Sequence, residues 1–179
     1  RGQQIKVFSQ LHREFRKRDT VFPEILTYSM ADSDHKYQGA TVLNCDRGMH
    51  IDHPTSGLDF KSLYPSIIIE KNLCPTTIVF EDKYKNLEGV EYQHFKWENG
   101  DYWFVKNVND QKGIIPEIVE KLWNDRDRVK KECKLEKDPN VKNVLNAKQL
   151  AIKVSMNSIY GVFGSNVGYL SIKPIASTV

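Results

Sequence analysis

Two stretches of this chain carry side chains whose types and spacing could do chemistry on a phosphorylated ligand. The first is Leu58-Asp59-Phe60-Lys61-Ser62-Leu63-Tyr64-Pro65-Ser66-Ile67-Ile68. Read as a strand entering a helix, it sends Asp59 to the face opposite Leu58 and Phe60, so the carboxylate can meet a cleft while its neighbours pack inside. A hard oxygen donor of that kind suits Mg²⁺. The backbone N–H groups of Ser62, Leu63 and Tyr64, at the turn before the Pro65 helix, could form a concavity for phosphate oxygens. The second stretch runs from Asn146 to Gly161. Lys153, Asn157, Tyr160 and Gly161 fall at i, i+4, i+7 and i+8, so a cation, an amide, a ring and a bare backbone share one helical stripe. Arg126 and Lys130 form a basic pair at i, i+4 upstream. Each feature alone has an ordinary structural meaning, since an Asp before a helix often caps a turn and a charged helix face is often merely solvated. A face that mixes charge, amide and glycine is nevertheless a poor core.

The elements that must position these residues follow from periodicity. Apolar Val7, Phe8, Leu11 and Phe15 recur at helical spacing over Ile5 to Arg18, with cations near the end. Tyr37 to Asp46 and Gly57 to Tyr64 read as strands separated by a loop, and Pro65 opens a short helix through Asn72. Alternating aromatic and polar residues flank Glu98-Asn99-Gly100-Asp101 from Val90 to Lys106, which predicts a β-hairpin. Its aromatics Tyr92, Trp97, Tyr102, Trp103 and Phe104 read as packing residues in preference to a base-stacking surface. After Gly113 and Pro116 a long helix is expected to about Lys137. Asp138-Pro139-Asn140 breaks it, and a second helix runs from Val141 or Lys142 to Tyr160, with Gly161 and Gly164 marking its end. Two long helices across a short break make an antiparallel hairpin.

Composition bounds the class without naming the function. The chain has 179 residues, 40% hydrophobic and 27% charged, with a net charge of +3, an ordinary globular profile that is only mildly basic. No apolar run approaches the roughly 18–20 residues of a membrane span, and the first residues lack a signal-peptide pattern, so a soluble, intracellular setting is expected. Cys45, Cys74 and Cys133 suggest no disulfide framework. Cys45, His50, Asp52 and His53 match no standard zinc spacing. An opening Arg and an abrupt Ile175-Ala176-Ser177-Thr178-Val179 end read as cuts through a longer protein.

The two stretches, in this order, resemble motifs of the family B DNA-dependent DNA polymerases. Asp59 to Ile68 matches motif A, D-x-x-S-L-Y-P-S-I-I, and Lys153 to Gly161 matches motif B, K-x-x-x-N-S-x-Y-G. Tyr37-Gln38-Gly39-Ala40 resembles the Y-x-G-G/A segment where exonuclease domain and palm meet. The likeness runs from about Tyr37 to the end, with residues 1–36 matching loosely. Gly113-Ile114-Ile115-Pro116 looks most like the polymerases of large DNA viruses, with eukaryotic replicative enzymes close. The resemblance implies a partial polymerase fold of α+β class: a palm-type antiparallel sheet with flanking helices, plus a two-helix antiparallel fingers hairpin. Residues 1–36 would lead into the palm, 37–112 form its first part, 113–165 the fingers, and 166–179 the start of the return to the palm.

The same resemblance implies a DNA-directed DNA polymerase that adds deoxynucleoside monophosphates from dNTP to a primer 3′-OH by two-metal phosphoryl transfer. Asp59 would bind both Mg²⁺ ions and Phe60 would lend a backbone carbonyl. Ser62 and Leu63 would hold the β and γ phosphates, and Tyr64 would exclude a ribose 2′-OH. Arg126, Lys130 and Lys153 would grip the triphosphate, Lys153 also aiding pyrophosphate departure. Asn157 would sit beside the nascent base pair, and Tyr160 and Gly161 near the template. Primer-template DNA and dNTPs are the implied partners, with any processivity factor binding outside this chain, at a nuclear or a cytoplasmic viral replication site. The Y-G-D-T-D-S aspartates of motif C are absent, so the second metal-binding carboxylates are expected outside the chain and the fragment alone is expected to be inactive. The rival reading is a non-catalytic nucleic-acid-binding homologue that kept the fold.

Overall fold

The computed structural model describes residues 2–21, 42–97, 100–165 and 170–179. In chain order these form helix α1 (Gln3–Lys17), helix α2 (Leu63–Glu70), strand β1 (Ile78–Val79), a 3₁₀ turn (Asp82–Tyr84), strands β2 (Glu91–Trp97) and β3 (Gly100–Asn107), and helices α3 (Ile114–Leu135), α4 (Pro139–Phe163) and α5 (Lys173–Thr178). No described helix is long and apolar enough to cross a membrane.

Helix α1 buries Val7, Leu11 and Phe15, spaced i, i+4, i+8, against α4 and α3. Its basic end is tied down as well: the Arg18 guanidinium bridges Glu14 and, at 2.7 Å, Glu117 on α3. Glu14 is held below the usual carboxylate range, chiefly by the hydrogen bond from Lys17; burial opposes this, and Arg18 reinforces it.

The predicted hairpin forms, although residues 98–99 of its turn lie outside the described residues. β2 and β3 pair antiparallel with His94 opposite Trp103, and β1 adds to the other edge of β3, giving the order β1-β3-β2. Strand alternation divides the aromatics. Phe104 is buried in the main core with Phe95 edge-on to it at 6.0 Å, while Trp103 lies on the opposite face, stacked on His94 at 4.3 Å.

Between α2 and the hairpin stands the joint that orients everything downstream. Asn72 adopts a left-handed backbone (φ 48°), a conformation that Asn accepts more readily than most residues. Its buried amide donates to the carbonyls of Val105 (3.0 Å) and Lys106 (3.2 Å) and accepts from the Gly113 N–H (2.7 Å). Thr77 adds a hydroxyl bond to the Asn72 carbonyl at 2.6 Å, and the Ile115 N–H reaches the Cys74 sulfur at 3.4 Å. Gly113 is obligatory here, because a Cβ would fall 2.6 Å from Cys74 Cβ. From this joint α3 leaves with Ile114, Ile115, Ile118 and Val119 buried in its first two turns.

Several expectations need correction. Gly57 to Tyr64 is not a strand: residues 57–60 are irregular, Lys61 and Ser62 form a turn, and α2 begins at Leu63, ahead of Pro65. Residues 42–46 are irregular too, and residues 37–41 lie outside the described residues. A strand needs a ladder partner for its N–H and C=O groups, and among the described residues none lies alongside either segment. Leu58 and Phe60 are consequently not packed inside but 97% and 74% exposed. Lastly, Pro139 and Asn140 start α4 instead of preceding it: Asp138 caps the helix by accepting from the Asn140 N–H at 2.8 Å, and Pro139 takes the first-turn place where its missing N–H costs nothing. α4 also runs through Gly161 to Phe163, with Gly164 at its cap.

Replacing Asn72 by Ala removes one buried and two part-buried hydrogen bonds to backbone and should weaken the joint by roughly 2–4 kcal/mol. Hydrogen exchange measured on the full-length protein should show faster exchange at Gly113 and along the start of α3. Asn72→Gly, which relieves the backbone but not the lost amide, should recover only a minor part.

Candidate functional site

The turn at Lys61 and Ser62 projects three consecutive contacts onto the α3–α4 hairpin. Ser62 is the N-cap of α2 in a left-handed conformation (φ 55°), so the chain reverses sharply between Asp59 and Tyr64. The Leu63 and Tyr64 N–H groups open the first turn of α2 and have no intrahelical acceptor there; Pro65 brings none. Ser66 closes the turn with its N–H on the Ser62 carbonyl at 3.0 Å and its hydroxyl on the Leu63 carbonyl at 2.7 Å.

Arg126, half-buried on α3, lies 3.5 Å from the Ser62 hydroxyl through one guanidinium nitrogen and donates through Nε to Gln149 of α4 at 3.3 Å. Both contacts are long, so they orient the guanidinium more than they consume its hydrogen-bonding capacity. Tyr64 stacks on Tyr160 of α4 with ring centroids 4.5 Å apart and planes inclined by 13°. Gln149, Lys153, Asn157 and Tyr160 form one stripe of α4. Its two ends are pinned over the turn, one through Arg126 to Ser62 and the other through Tyr160 to Tyr64. Lys153 and Asn157 lie between those ends, exposed and without a hydrogen-bond or ion-pair partner among the described residues. Lys130 is exposed one turn beyond Arg126, and Gly161 faces open space, where a Cβ would meet nothing within 4 Å.

Lys61 makes the third contact. Its ammonium pairs with Asp127 at 2.7 Å and lies 5.1 Å from the centre of the Trp123 ring. The Lys61 ammonium, through its hydrogen bond, holds the Asp127 carboxyl below the usual carboxylate range; partial burial opposes this, while the Trp123 side chain and nearby Lys130 reinforce it. Asp127 is thus ionised, and the pair formed, down to a pH below the ordinary carboxylate value. The contact is lost only as pH falls through that lowered value. As a half-exposed pair it adds about 1 kcal/mol or less to folding, so its consequence is positional.

The structure therefore gathers Ser62, Leu63, Tyr64, Arg126, Lys153, Asn157 and Tyr160 around one turn, with Lys130 and Gly161 at the margins. Asp59 and Phe60 precede the turn, both exposed. Sequence reasoning missed Gln149, Trp123 and Asp127. Gln149 could have been found, since it extends the Lys153–Asn157 stripe by one turn at i−4. Trp123 and Asp127 are likewise i, i+4 neighbours on the face of α3 that carries Arg126 and Lys130. Among the described residues no three His, Cys, Asp or Glu side chains converge into a metal-binding group.

Comparison with known proteins gives this constellation its context. The family model described as DNA polymerase family B matches residues 1–179. The chain is 44% identical over 179 residues to the DNA polymerase delta catalytic subunit of Candida albicans and 41% identical over 182 residues to that of Drosophila melanogaster. In both cases all of this chain is covered, but only 17% and 16% of the relative, so the chain spans about one sixth of their length. Among solved structures, the family B DNA polymerase of the hyperthermophilic archaeon Pyrobaculum calidifontis matches 65% of this chain, and 15% of its own, with a TM-score of 0.52 and 27% identity. The expected likeness to polymerases of large DNA viruses finds no support in these relatives, which are eukaryotic and archaeal. The motif pair, the gathered turn and the match along the whole chain agree: the chain belongs to DNA polymerase family B.

Proposed function

We propose that this chain is the nucleotide-selecting and triphosphate-gripping part of a DNA-directed DNA polymerase, which adds deoxynucleoside monophosphates from dNTP to a primer 3′-OH on template DNA. The observation that carries this reading is the pinning of the α4 stripe over the Ser62–Tyr64 turn, through Arg126 at one end and the Tyr64–Tyr160 stack at the other. Exposed cations and outward N–H groups then face the same space.

In that space the Leu63 N–H, with Ser62 beside it, would receive the β and γ phosphates at the start of α2, where the helix dipole favours an anion. Arg126, Lys130 and Lys153 would neutralise the triphosphate, and Lys153, with its ammonium uncommitted, is the one free to follow charge onto the departing pyrophosphate. Tyr64 is braced from behind by Tyr160, so a sugar bearing a 2′-OH would meet a ring that cannot easily yield. Asn157 would lie beside the incoming base, and Gly161 would let a nucleic-acid backbone come close to α4. For a divalent metal, Asp59 is the uncommitted carboxylate beside the turn, Asp127 being paired with Lys61, and one carboxylate does not by itself fit a two-ion centre. We assign Asp59 and the Phe60 carbonyl as this chain's share of a Mg²⁺ site whose remaining carboxylates belong to other parts of the longer protein.

Primer extension by the full-length protein tests these roles. Asp59→Ala should lower synthesis by about 10³-fold or more, and normal synthesis would leave only a binding role for the chain. Tyr64→Ala should raise ribonucleotide incorporation relative to deoxyribonucleotide by about 10- to 100-fold, whereas Tyr64→Phe, which keeps the ring, should not. Gly161→Ala relieves a helical glycine by about 1 kcal/mol and clashes with nothing among the described residues, so the variant should fold normally. A drop in its affinity for primer-template would report the close approach of DNA. The 179 residues purified alone should incorporate no nucleotide.

A further inference from the structure

Beside the phosphate-facing groups lies a three-residue cluster for which the roles above have no use. Lys61 sits between Phe60 and Ser62, yet its charge points away from the turn, onto α3: it pairs with Asp127 at 2.7 Å and covers the Trp123 ring at 5.1 Å. The Trp123 side chain also helps to hold the carboxyl of Asp127, four residues on along the same helix face, below the usual carboxylate range. The neighbouring residues make the parallel contact, Ser62 with Arg126 at 3.5 Å. Positions 61 and 62 are thus cross-linked to positions 127 and 126, the first by a short ion pair and the second by a long, weak contact.

We propose that Lys61, Asp127 and Trp123 form a clamp that sets the distance between the phosphate-facing turn and the Arg126 face of α3, and so determines how tightly the nucleotide triphosphate is held. These are positioning residues, since none of them needs to touch the nucleotide. This inference rests on the polymerase reading above. Its physical basis is that the Ser62–Arg126 contact is too long to fix the two elements by itself, while Lys61 is held on two sides, by a carboxylate and by a ring. Without the clamp, a free Lys61 beside the turn would compete with Arg126 for the Ser62 region, and α3 would be located beside the turn by its packing on α2 and the long Arg126 contact.

The test is steady-state dNTP incorporation on primed DNA by the full-length protein carrying Lys61→Ala, Asp127→Ala, both together, or the reversed pair Lys61→Glu with Asp127→Lys. The clamp predicts that each single variant raises KM for dNTP by about 5- to 20-fold with kcat changed less than about 3-fold. The double variant should be no worse than the poorer single one, because both remove the same contact. The reversed pair should recover part of the lost KM. Penalties that multiply in the double variant overturn the clamp, as do unchanged KM values with reduced thermal stability, which would mark the pair as purely structural. So does a KM that falls in Asp127→Ala, because Lys61 would then itself be a triphosphate ligand restrained by Asp127. Should the unmodified protein extend no primer, the polymerase reading fails first and this inference with it.

Discussion

The side-chain amide of Asn72 connects the end of α2 to both β3 and α3: it holds two carbonyls at the end of β3 and receives the N–H of Gly113 at the root of α3. Because the Gly113 N–H is buried and the two carbonyls are part-buried, the amide that pairs all three fixes the angle at which α3 departs from the sheet. The left-handed Asn72 backbone and the close approach of Gly113 to Cys74 leave little room for a different angle. Burial pushes the Cys74 thiol upward, and it serves here as a small apolar wedge that accepts a weak hydrogen bond.

From that root the α3–α4 hairpin extends as a cantilever. Its base is apolar and buried, through Ile114, Ile115 and Ile118 on α3 and Ile159, Val162 and Phe163 on α4, while Leu135 near the tip is exposed. Arg126 lies twelve residues along α3, roughly 18 Å from the root. At that distance a small change in departure angle becomes a displacement comparable to a hydrogen bond's length. The contacts that hold mid-span are the Lys61–Asp127 pair, the Arg126–Ser62 approach and the Tyr64–Tyr160 stack, all partly exposed. Rigid packing therefore sets the coarse position of the cationic face, and a few breakable polar and aromatic contacts set its fine position. A substrate that enters between turn and hairpin competes with the second group without disturbing the first.

Helical periodicity was readable because it is local: Val7, Leu11 and Phe15 announce a buried stripe whatever lies around them, and α1 formed within two residues of expectation. The hairpin was equally legible from Asn99-Gly100 and its alternating flanks. Strand β1 was missed because two residues, Ile78 and Val79, carry no period, and the pairing with Phe104 and Trp103 exists only in three dimensions. The site was legible as a pair of motifs, but the stacking of Tyr64 on Tyr160 was not, because it joins residues ninety-six positions apart. Lys61 was read past because a lysine inside a motif looks like solvent-facing filler. Its meaning depends on Asp127 and Trp123, more than sixty residues away, and no spacing rule reaches that far.

The segment before the turn shows the opposite failure, a local pattern with nothing to complete it. Leu58, Asp59 and Phe60 alternate as a half-buried strand should, yet all three are exposed. Alternation describes what a strand would bury but supplies none of the backbone partners that make it a strand. Exposing Leu58 and Phe60 costs about 1.5–3 kcal/mol each relative to burial, and that unspent burial energy is available to whatever strand pairs there. On pairing, the two apolar side chains would turn to one face and the Asp59 carboxylate to the other. On the proposed function, the share of a metal site assigned to Asp59 would thus depend on a backbone ladder, whereas the groups assigned to the triphosphate already sit on helices that satisfy their own hydrogen bonds.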